Sequence, residues 1–382
     1  MSLKLPQTPD GSPLLTHCPE SLPALSYFDA GWFERERQGI WMRDWIYAGR
    51  ANDLIPLTLK RLDVAGQNLI LVKDAQGTIR CFHNTCRHRG SELCGAPERK
   101  LGSALITCPY HQWSYDLSGK LVRTAFATLT SDFKKEVHGL LAVAVREWSG
   151  FLFVCLKTNP PDFSKVSDLG LKTFDNWPIR DLVTGHTLVK TLNCNWKIFW
   201  ENYNECLHCP GIHPELCDMV PVYREGIMSA DERAGVPHAP GEPVLKPGAN
   251  TWTMNGQPCG PEFPLLTEAE RASGHTFVTF LPSLFVVAHV DYIRAVSLRP
   301  LSPEQTELRA EWLFPKATLS AAGFDLANVV DFASTVLNQD GAACEMNQRG
   351  LKAAPFKHGR LMPQEFEVHR FQNWVRQRLT PA

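Results

Sequence analysis

Two short stretches each combine a thiolate with an imidazole, a pairing that binds metals. Cys86 and His88 lie in Cys-Arg-His-Arg-Gly, and Cys108 and His111 lie in Cys-Pro-Tyr-His-Gln-Trp. A [2Fe–2S] cluster with two Cys on one iron and two His on the other needs two such loops. Because the His ligands are neutral, such a cluster has a higher reduction potential than a four-Cys cluster, which suits one-electron transfer.

A structural zinc site with two Cys and two His is the competing interpretation. Zinc sites usually have two or more residues between their first two ligands, whereas one residue separates Cys86 from His88. The first box ends in Gly90 and the second contains Pro109, which is typical of loops that enclose a cluster. The pattern therefore favours a Rieske [2Fe–2S] cluster over zinc.

A second group of metal-binding residue types lies in residues 201–213, Glu-Asn-Tyr-Asn-Glu-Cys-Leu-His-Cys-Pro-Gly-Ile-His. Glu205 and His208 are three residues apart and share a face if the segment is helical. Pro210-Gly211 predicts the end of that helix, so His213 is expected to return from a loop. Two imidazoles and one carboxylate are the ligands of mononuclear non-haem Fe(II), so the segment needs a further ligand.

The third ligand is expected on a long helix predicted over residues 325–350. Asp340 lies in Leu-Asn-Gln-Asp-Gly-Ala-Ala-Cys-Glu, where small neighbours leave the carboxylate open to His208 and His213. Glu345, which closes the same stretch, is the alternative ligand.

Length and composition limit the possible classes of protein. A chain of 382 residues is expected to form two domains, and 44% hydrophobic with 21% charged residues is typical of a soluble globular protein. A net charge of -1 gives no reason to expect a nucleic acid or an anionic membrane as partner. Since neither a spanning apolar run nor a signal peptide is evident, we expect a cytoplasmic protein.

The chain contains 12 Cys. In a protein without an export signal, cysteines are expected to be thiols or metal ligands and not disulfides. Cys206 and Cys209 flank His208, but thiolate ligands would favour zinc or a cluster over an open iron site.

Hydrophobic patterning divides the chain into three parts. Residues 1–44 form an N-terminal helical lead. Residues 45–157 contain short strands and turn signals, and so predict a small all-β domain that presents the two Cys/His loops. Residues 158–382 form the second domain, where four strands between 276 and 314 predict an antiparallel meander covered by the 325–350 helix.

Two further segments of the second domain are expected to border its site. A helix predicted over 196–208 has a stripe of aromatic residues, most of which we assign to the core: Trp196, Phe199, Trp200 and Tyr203. Residues 221–275 are rich in Pro and Gly and predict a long loop that acts as a lid or pocket wall. His238 and His275 in that loop are expected to be solvated.

The paired motifs resemble those of the α subunit of Rieske non-haem iron oxygenases: Cys86, His88, Cys108 and His111, then Asn-x-x-Glu-x-x-His-x4-His at 202–213. The resemblance implies an α+β fold, with an N-terminal Rieske domain and a C-terminal helix-grip catalytic domain. It also implies Fe(II) bound by His208, His213 and Asp340, with O2 as co-substrate. Electrons would come from NAD(P)H through a flavin/[2Fe–2S] reductase.

The resemblance also implies roles for two further residues. Within one subunit of this family the two metal centres are too far apart for fast electron transfer, and the family forms trimers. Glu205 would link His111 of a neighbouring subunit to His208, and Asn202 stands beside it among the catalytic residues.

Most of the family has Asp at the bridging position, whereas this chain has Glu205. That form, and the stretch Gln-Asp-Gly-Ala-Ala-Cys-Glu-Met-Asn-Gln-Arg-Gly-Leu-Lys, resemble the subgroup acting on glycine betaine, stachydrine and carnitine. The resemblance implies hydroxylation of an N-methyl group, after which the hemiaminal collapses to formaldehyde and the demethylated amine.

A quaternary ammonium substrate is expected to need an aromatic cage. The candidate residues are Trp252, Phe277, Phe280, Phe285 and Tyr292. The same rings would suit an aromatic substrate, so ring hydroxylation or O-demethylation is the alternative reaction. A Rieske electron carrier without a second metal, and a zinc-binding interaction module, are the alternatives from other classes.

Overall fold

The computed structural model describes residues 14–167, 170–228 and 245–380. These residues form two compact units. The first is the continuous segment Ile40–Val166, and the second combines the described residues before Ile40 with those after Val166. Among the described residues, no helix has both the length and the apolar character needed to cross a membrane. The predicted solvated residue His238 lies outside the described ranges.

The first unit is built from antiparallel strands, as predicted. They are β1 Ile46–Arg50, β2 Thr58–Val64, β3 Gln67–Lys73, β4 Ile79–His83, β5 Glu98–Lys100, β6 Leu105–Thr107, β7 Trp113–Asp116, β8 Leu121–Thr124, β9 Ala142–Trp148 and β10 Phe151–Cys155. A seven-stranded sheet has the order β1-β10-β9-β4-β3-β2-β5, and a three-stranded sheet has the order β6-β7-β8.

The second unit contains one antiparallel sheet with the strand order β11-β15-β14-β13-β12. Its strands are β11 Val183–Leu192, β12 His275–Phe280, β13 Leu284–His289, β14 Ile293–Ser302 and β15 Gln305–Phe314. Its helices are α1 Ala30–Glu36, α2 Trp196–Tyr203, α3 Cys209–Ile212, α4 Pro214–Met219, α5 Glu268–Ser273, α6 Lys316–Leu319, α7 Leu326–Gly350 and α8 Phe366–Leu379. The predicted meander with a long covering helix is therefore confirmed.

The long helix α7 packs through one stripe of side chains. Its N-terminus is capped by Asp325, whose carboxylate accepts a hydrogen bond from the backbone N–H of Asn328. The buried positions recur every three or four residues and include Val329, Phe332, Ala333, Val336, Leu337, Gly341 and Cys344. Because α7 contacts both α2 and β11 through this stripe, its polar residue Asp340 is fixed in orientation beside the α2 end.

The helix predicted over 196–208 is shorter than expected. Helix α2 ends at Tyr203, and the N–H of Asn204 closes it by donating to the carbonyls of Trp200 and Glu201. A continuous helix would place Pro210 in its interior, where the ring clashes with the preceding turn. The chain instead begins the short helix α3 at Cys209, with Pro210 in its first turn. Glu205 and His208 therefore lie in a turn and not on a helix.

A buried ion pair attaches α2 to the N-terminal segment. Nζ of Lys197 lies 2.6 Å from Oε1 of Glu36, and both side chains are fully buried. The same ammonium donates to the carbonyl of Ser26 at 2.7 Å. One turn later, Glu201 accepts hydrogen bonds from Tyr27 at 2.7 Å and from Gln372 of α8 at 3.0 Å. Burial is the main influence on this carboxyl and raises its pKa to about 7.

The raised pKa of Glu201 predicts a pH-dependent contribution to stability. Between about pH 4.5 and 7 the folded protein holds a proton that the unfolded chain releases, so stability should fall as the pH rises through this range. The Glu201→Gln variant keeps an acceptor for Tyr27 but cannot ionise. Relative to this variant, the free energy of unfolding of the wild type should fall by about 3 kcal/mol between these two pH values. Thermal unfolding of both proteins from pH 4.5 to 8 measures the difference, and parallel curves would contradict the prediction.

Candidate functional site

The two Cys/His loops lie in the first unit, each at a tight turn beside a strand. Cys86 follows β4, and its carbonyl accepts from the N–H of Gly90, which has a positive φ of 75°. Cys108 lies between β6 and β7, and its carbonyl accepts from the N–H of Gln112. Glycine adopts positive φ without strain, so Gly90 allows the first loop to turn back after its cysteine.

The structure brings the four predicted cluster ligands together. Cys86 and Cys108 are buried among core residues of the first unit. The rings of His88 and His111 lie 4.6 Å apart near the surface. This donor set, with sulfur inside and nitrogen outside, fits a [2Fe–2S] cluster whose His-ligated iron faces the exterior.

Tyr115 on β7 is a residue of this site that the sequence did not reveal. Its hydroxyl lies 3.2 Å from Sγ of Cys86 and accepts a hydrogen bond from the N–H of Arg87 at 3.0 Å. The hydroxyl accepts from Arg87 through a lone pair, and its proton can point to the sulfur. Burial raises the pKa of the Cys86 thiol, and the contact with Tyr115 opposes that shift.

In the second unit, His208, His213 and Asp340 converge. One ligand atom from each residue lies within 4.8 Å of the other two. Oδ1 of Asp340 is 2.9 Å from Nε2 of His213 and 3.5 Å from Nε2 of His208. Glu345, the alternative ligand, instead accepts from the backbone N–H of Asn193 at 2.8 Å.

Each imidazole is oriented by a hydrogen bond on its other nitrogen. Nδ1 of His208 lies 2.5 Å from Oε1 of Glu205, whose other oxygen accepts from the N–H of Leu207. Nδ1 of His213 lies 2.8 Å from Oε1 of Gln339, which precedes Asp340 on α7. Because Nδ1 is engaged on both rings, Nε2 of each is presented to the shared site.

Of the residues that surround the two imidazoles, Asn202 was predicted from the sequence and Gln339 was not. Gln339 was missed, although its position next to Asp340 on α7 was a usable signal. The amide of Gln339 in turn donates to Glu215 of α4 at 2.9 Å. Asn202 reaches the site as expected, with Nδ2 3.2 Å from Nε2 of His208.

The electrostatics of the group favour a positive charge at its centre. Burial lowers the pKa of His208, but hydrogen bonds to Asp340 and Glu205 outweigh this effect and raise it to about 9. The pKa of His213 is also raised, because Asp340 outweighs the effect of burial. Burial raises the pKa of Asp340, but the two imidazoles lower it further than burial raises it. Two nitrogens and one carboxylate on one side therefore fit a divalent iron ion, which would displace the imidazole protons.

The expectation that the cysteines are not paired was wrong at one position. Cys206 and Cys209 form a disulfide that brackets His208, with their Cα atoms 5.0 Å apart. The redox environment alone does not decide this pairing, because the turn after α2 brings these two side chains within bonding distance. As a disulfide, neither sulfur is available as a metal ligand.

A pocket opens beside the three ligands. Trp252, Phe277 and Phe285 line it, as the sequence predicted. Phe280 and Tyr292 do not line it, and both are fully buried in the core. Side chains alternate between the two faces of a strand, so Phe280 faces away from Phe277 on β12. Tyr292 lies between β13 and β14, and its hydroxyl donates to the carbonyl of Trp252.

Several residues that line the pocket were not among the predicted ones, and Tyr203, His275 and Arg294 are three of them. Tyr203 belongs to the aromatic stripe that was mostly assigned to the core, and it lines the pocket and stacks on Phe285 with ring centroids 3.9 Å apart. His275 was expected to be solvated, but it lies 4.6 Å from the ring of Trp252. Arg294 on β14 also lines the pocket.

Two models of protein families match separate parts of the chain. Residues 174–381 match the model of the ring hydroxylating alpha subunit (catalytic domain). Residues 44–132 match the model of the Rieske [2Fe-2S] domain.

Similar proteins include glycine betaine monooxygenase oxygenase subunits. The one from Chromohalobacter salexigens is 31% identical over 386 residues, which cover 93% of this chain and 84% of that protein. The one from Pseudomonas aeruginosa is 28% identical over 391 residues, covering 94% and 89%. A solved quaternary ammonium Rieske monooxygenase, whose study concerns carnitine oxidation, matches 95% of this chain and 96% of its own, with a TM-score of 0.72. At 21% identity, that match shows a shared fold.

The contact between Tyr115 and Cys86 predicts a change in the reduction potential of the cluster. A cluster-bound thiolate has no proton, so the tyrosine must donate to it and stabilise the reduced state. Tyr115→Phe should lower the potential by on the order of 50 mV without loss of the cluster.

A redox titration followed by circular dichroism measures this shift. Tyr110→Phe is the matched control, since Tyr110 is exposed and packs on His111. Equal potentials for wild type and Tyr115→Phe would contradict the predicted hydrogen bond.

Proposed function

This chain belongs to the ring-hydroxylating alpha-subunit family, and from that premise we propose that it hydroxylates an N-methyl group of a small betaine-like quaternary ammonium compound. The family uses a Rieske cluster, a mononuclear iron and O2, and works with a reductase. The observation on which the proposal rests most is the wall of aromatic rings beside His208, His213 and Asp340.

We propose that Cys86, His88, Cys108 and His111 hold the cluster, and that His208, His213 and Asp340 hold the iron. The support is the convergence of each donor set and its match to the ligand preferences of these groups. When bound, the two groups supply the electrons and the O2 activation needed to oxidise a C–H bond.

The chain's own residues bind and orient the substrate. Tyr203, Phe277 and Phe285 form a continuous aromatic wall, in which Tyr203 stacks on Phe285 and meets Phe277 edge-on at 6.3 Å. Trp252 adds a further ring to the same pocket. Ring faces attract a quaternary ammonium group, which has no N–H to donate, and the largely apolar lining excludes water from it. The methyl groups of the cation are thereby held beside the three ligands.

Oxidative demethylation then follows from the position of the new hydroxyl group. Hydroxylation of an N-methyl carbon gives a hemiaminal, whose C–N bond breaks to release formaldehyde and the tertiary amine. The electron pair of the broken bond stays on nitrogen, and the proton lost from the hydroxyl group is released to bulk water together with the products.

Glu205 is proposed to connect the two redox centres between subunits of a homotrimer. Its Oε1 holds the proton on Nδ1 of His208, and each carboxylate oxygen has a second lone pair that can accept from an imidazole of a neighbouring subunit. We further propose that the reductase partner contains a flavin and a [2Fe–2S] centre and draws on NAD(P)H.

A substrate panel tests the proposed reaction. The holoprotein, reduced chemically under anaerobic conditions, is mixed with O2 and with glycine betaine, stachydrine or carnitine, and formaldehyde is measured after one turnover. At least one of these compounds should give formaldehyde in proportion to the active sites. If none responds while an aryl acid or an aryl methyl ether is oxidised, the alternative reaction of ring hydroxylation or O-demethylation is correct.

The bridging role of Glu205 predicts a loss of coupling. Glu205→Gln retains an acceptor for Nδ1 of His208 but removes the negative charge, so both metals should remain bound. Oxidation of the reduced cluster on mixing with O2 and substrate should slow at least about tenfold, because the path between imidazoles is weakened. Stopped-flow absorbance measures the rate.

Glu215→Gln is the matched control, because Glu215 supports the other imidazole through Gln339. This variant should oxidise its cluster at the wild-type rate. An unchanged rate and formaldehyde yield in Glu205→Gln would exclude the bridging role.

A further inference from the structure

Arg294 is a buried cation in the wall of the pocket. It lies on β14, opposite Val287 of β13 and Trp312 of β15, in the interior of the sheet. Only 4% of its surface is exposed. Its guanidinium carbon is 5.8 Å from the ring centre of Trp252, another residue of the pocket wall.

The guanidinium has no carboxylate partner within the described parts of the chain. The ion pairs found there do not include Arg294, and its Nε makes no hydrogen bond although it is buried. The groups that interact with it at longer range are the hydroxyls of Tyr203, Tyr223 and Tyr292 and the carboxylate of Asp340. Asp340 is already engaged by two imidazoles. A buried charge without a partner is costly, and a bound anion would supply the partner that the described residues do not.

A second buried donor lies beside the first. Trp252 is 93% buried, and its Nε1 has no hydrogen-bond partner in the described structure. One carboxylate has two oxygens and can accept from a guanidinium and an indole N–H together. Both residues line the pocket, so their unpaired donors can serve an anionic group bound there.

The pocket thus has two kinds of wall with opposite preferences. Tyr203, Phe277 and Phe285 favour a quaternary ammonium group. Arg294 favours an anionic group and repels a cation that has no anionic group of its own. We propose that Arg294 binds the carboxylate of the substrate, assisted by Trp252, so that the enzyme takes zwitterionic quaternary ammonium carboxylates and rejects cationic alcohols. This inference rests on the proposed function for the identity of the cationic end.

Binding to the intact holoprotein tests the inference with two matched probes. Glycine betaine and choline have the same trimethylammonium group, but glycine betaine ends in a carboxylate and choline in a neutral hydroxyl. Calorimetry should give at least about 100-fold tighter binding of glycine betaine to the wild type, because hydrogen bonds to a charged group are lost with choline. Arg294→Gln should weaken the binding of glycine betaine about 100-fold and leave the binding of choline unchanged or tighter. Arg294→Lys, which keeps a positive charge, should restore part of the preference for glycine betaine.

Two controls separate this role from a structural one. The cluster absorption spectrum and the iron content should be equal in all variants. Trp252→Phe keeps an aromatic ring but removes the N–H, so it should weaken the binding of glycine betaine several-fold more than the binding of choline. This variant also tests the site if Arg294→Gln does not fold. The inference would be overturned if the variants that fold lose binding of both probes equally, or lose binding of neither.

A third pair of probes distinguishes this inference from the proposed function. If the wild type binds neither trimethylammonium probe, the cationic end is wrong, and benzoate is compared with benzyl alcohol. Loss of benzoate binding alone in Arg294→Gln would then support a carboxylate site at Arg294 while the proposed function fails. Equal binding of the two aryl probes by wild type and variant would overturn both.

Discussion

The contact of Asp340 with two imidazoles is the interaction on which the second unit depends for its site. It joins the middle of α7 to the turn after α2, which are more than 120 residues apart in the chain. Two conditions must hold for the three groups to meet. The apolar stripe of α7 must set the rotation of the helix, and α2 must end before Pro210. A change in either would separate the carboxylate from the nitrogens.

The same contact explains why so much polar structure surrounds the site. Glu205 and Gln339 each occupy the Nδ1 of one imidazole, and Glu215 orients Gln339 from α4. At the other end of α2, Lys197 and Glu36 form a buried pair that fixes the start of the helix. Buried pairs of this kind contribute little net stability but are costly to break, so they favour one arrangement of the helix over others.

The parts that could be predicted from the sequence are those with a local signature. The spacing within the Cys/His loops, the alternation of the strands and the small residues after Asp340 each reflect a constraint between near neighbours in the chain. The end of α2 was missed because its aromatic stripe continues toward Cys206. The periodicity of apolar residues indicates which positions are buried, but it does not show where the backbone hydrogen bonds of the helix end. Arg294 was missed because a charged residue in a strand is normally expected to point to solvent, and only the tertiary structure shows that it faces a pocket.

The Cys206–Cys209 disulfide has a consequence for which metal the protein acquires. Sγ of Cys209 lies 3.9 Å from Nε2 of His208, the atom that faces Asp340. In the oxidised form the described ligands at this point are two nitrogens and an oxygen, a set that suits iron. Reduction of this disulfide would release a soft thiolate at the same place, a ligand type that favours zinc over iron.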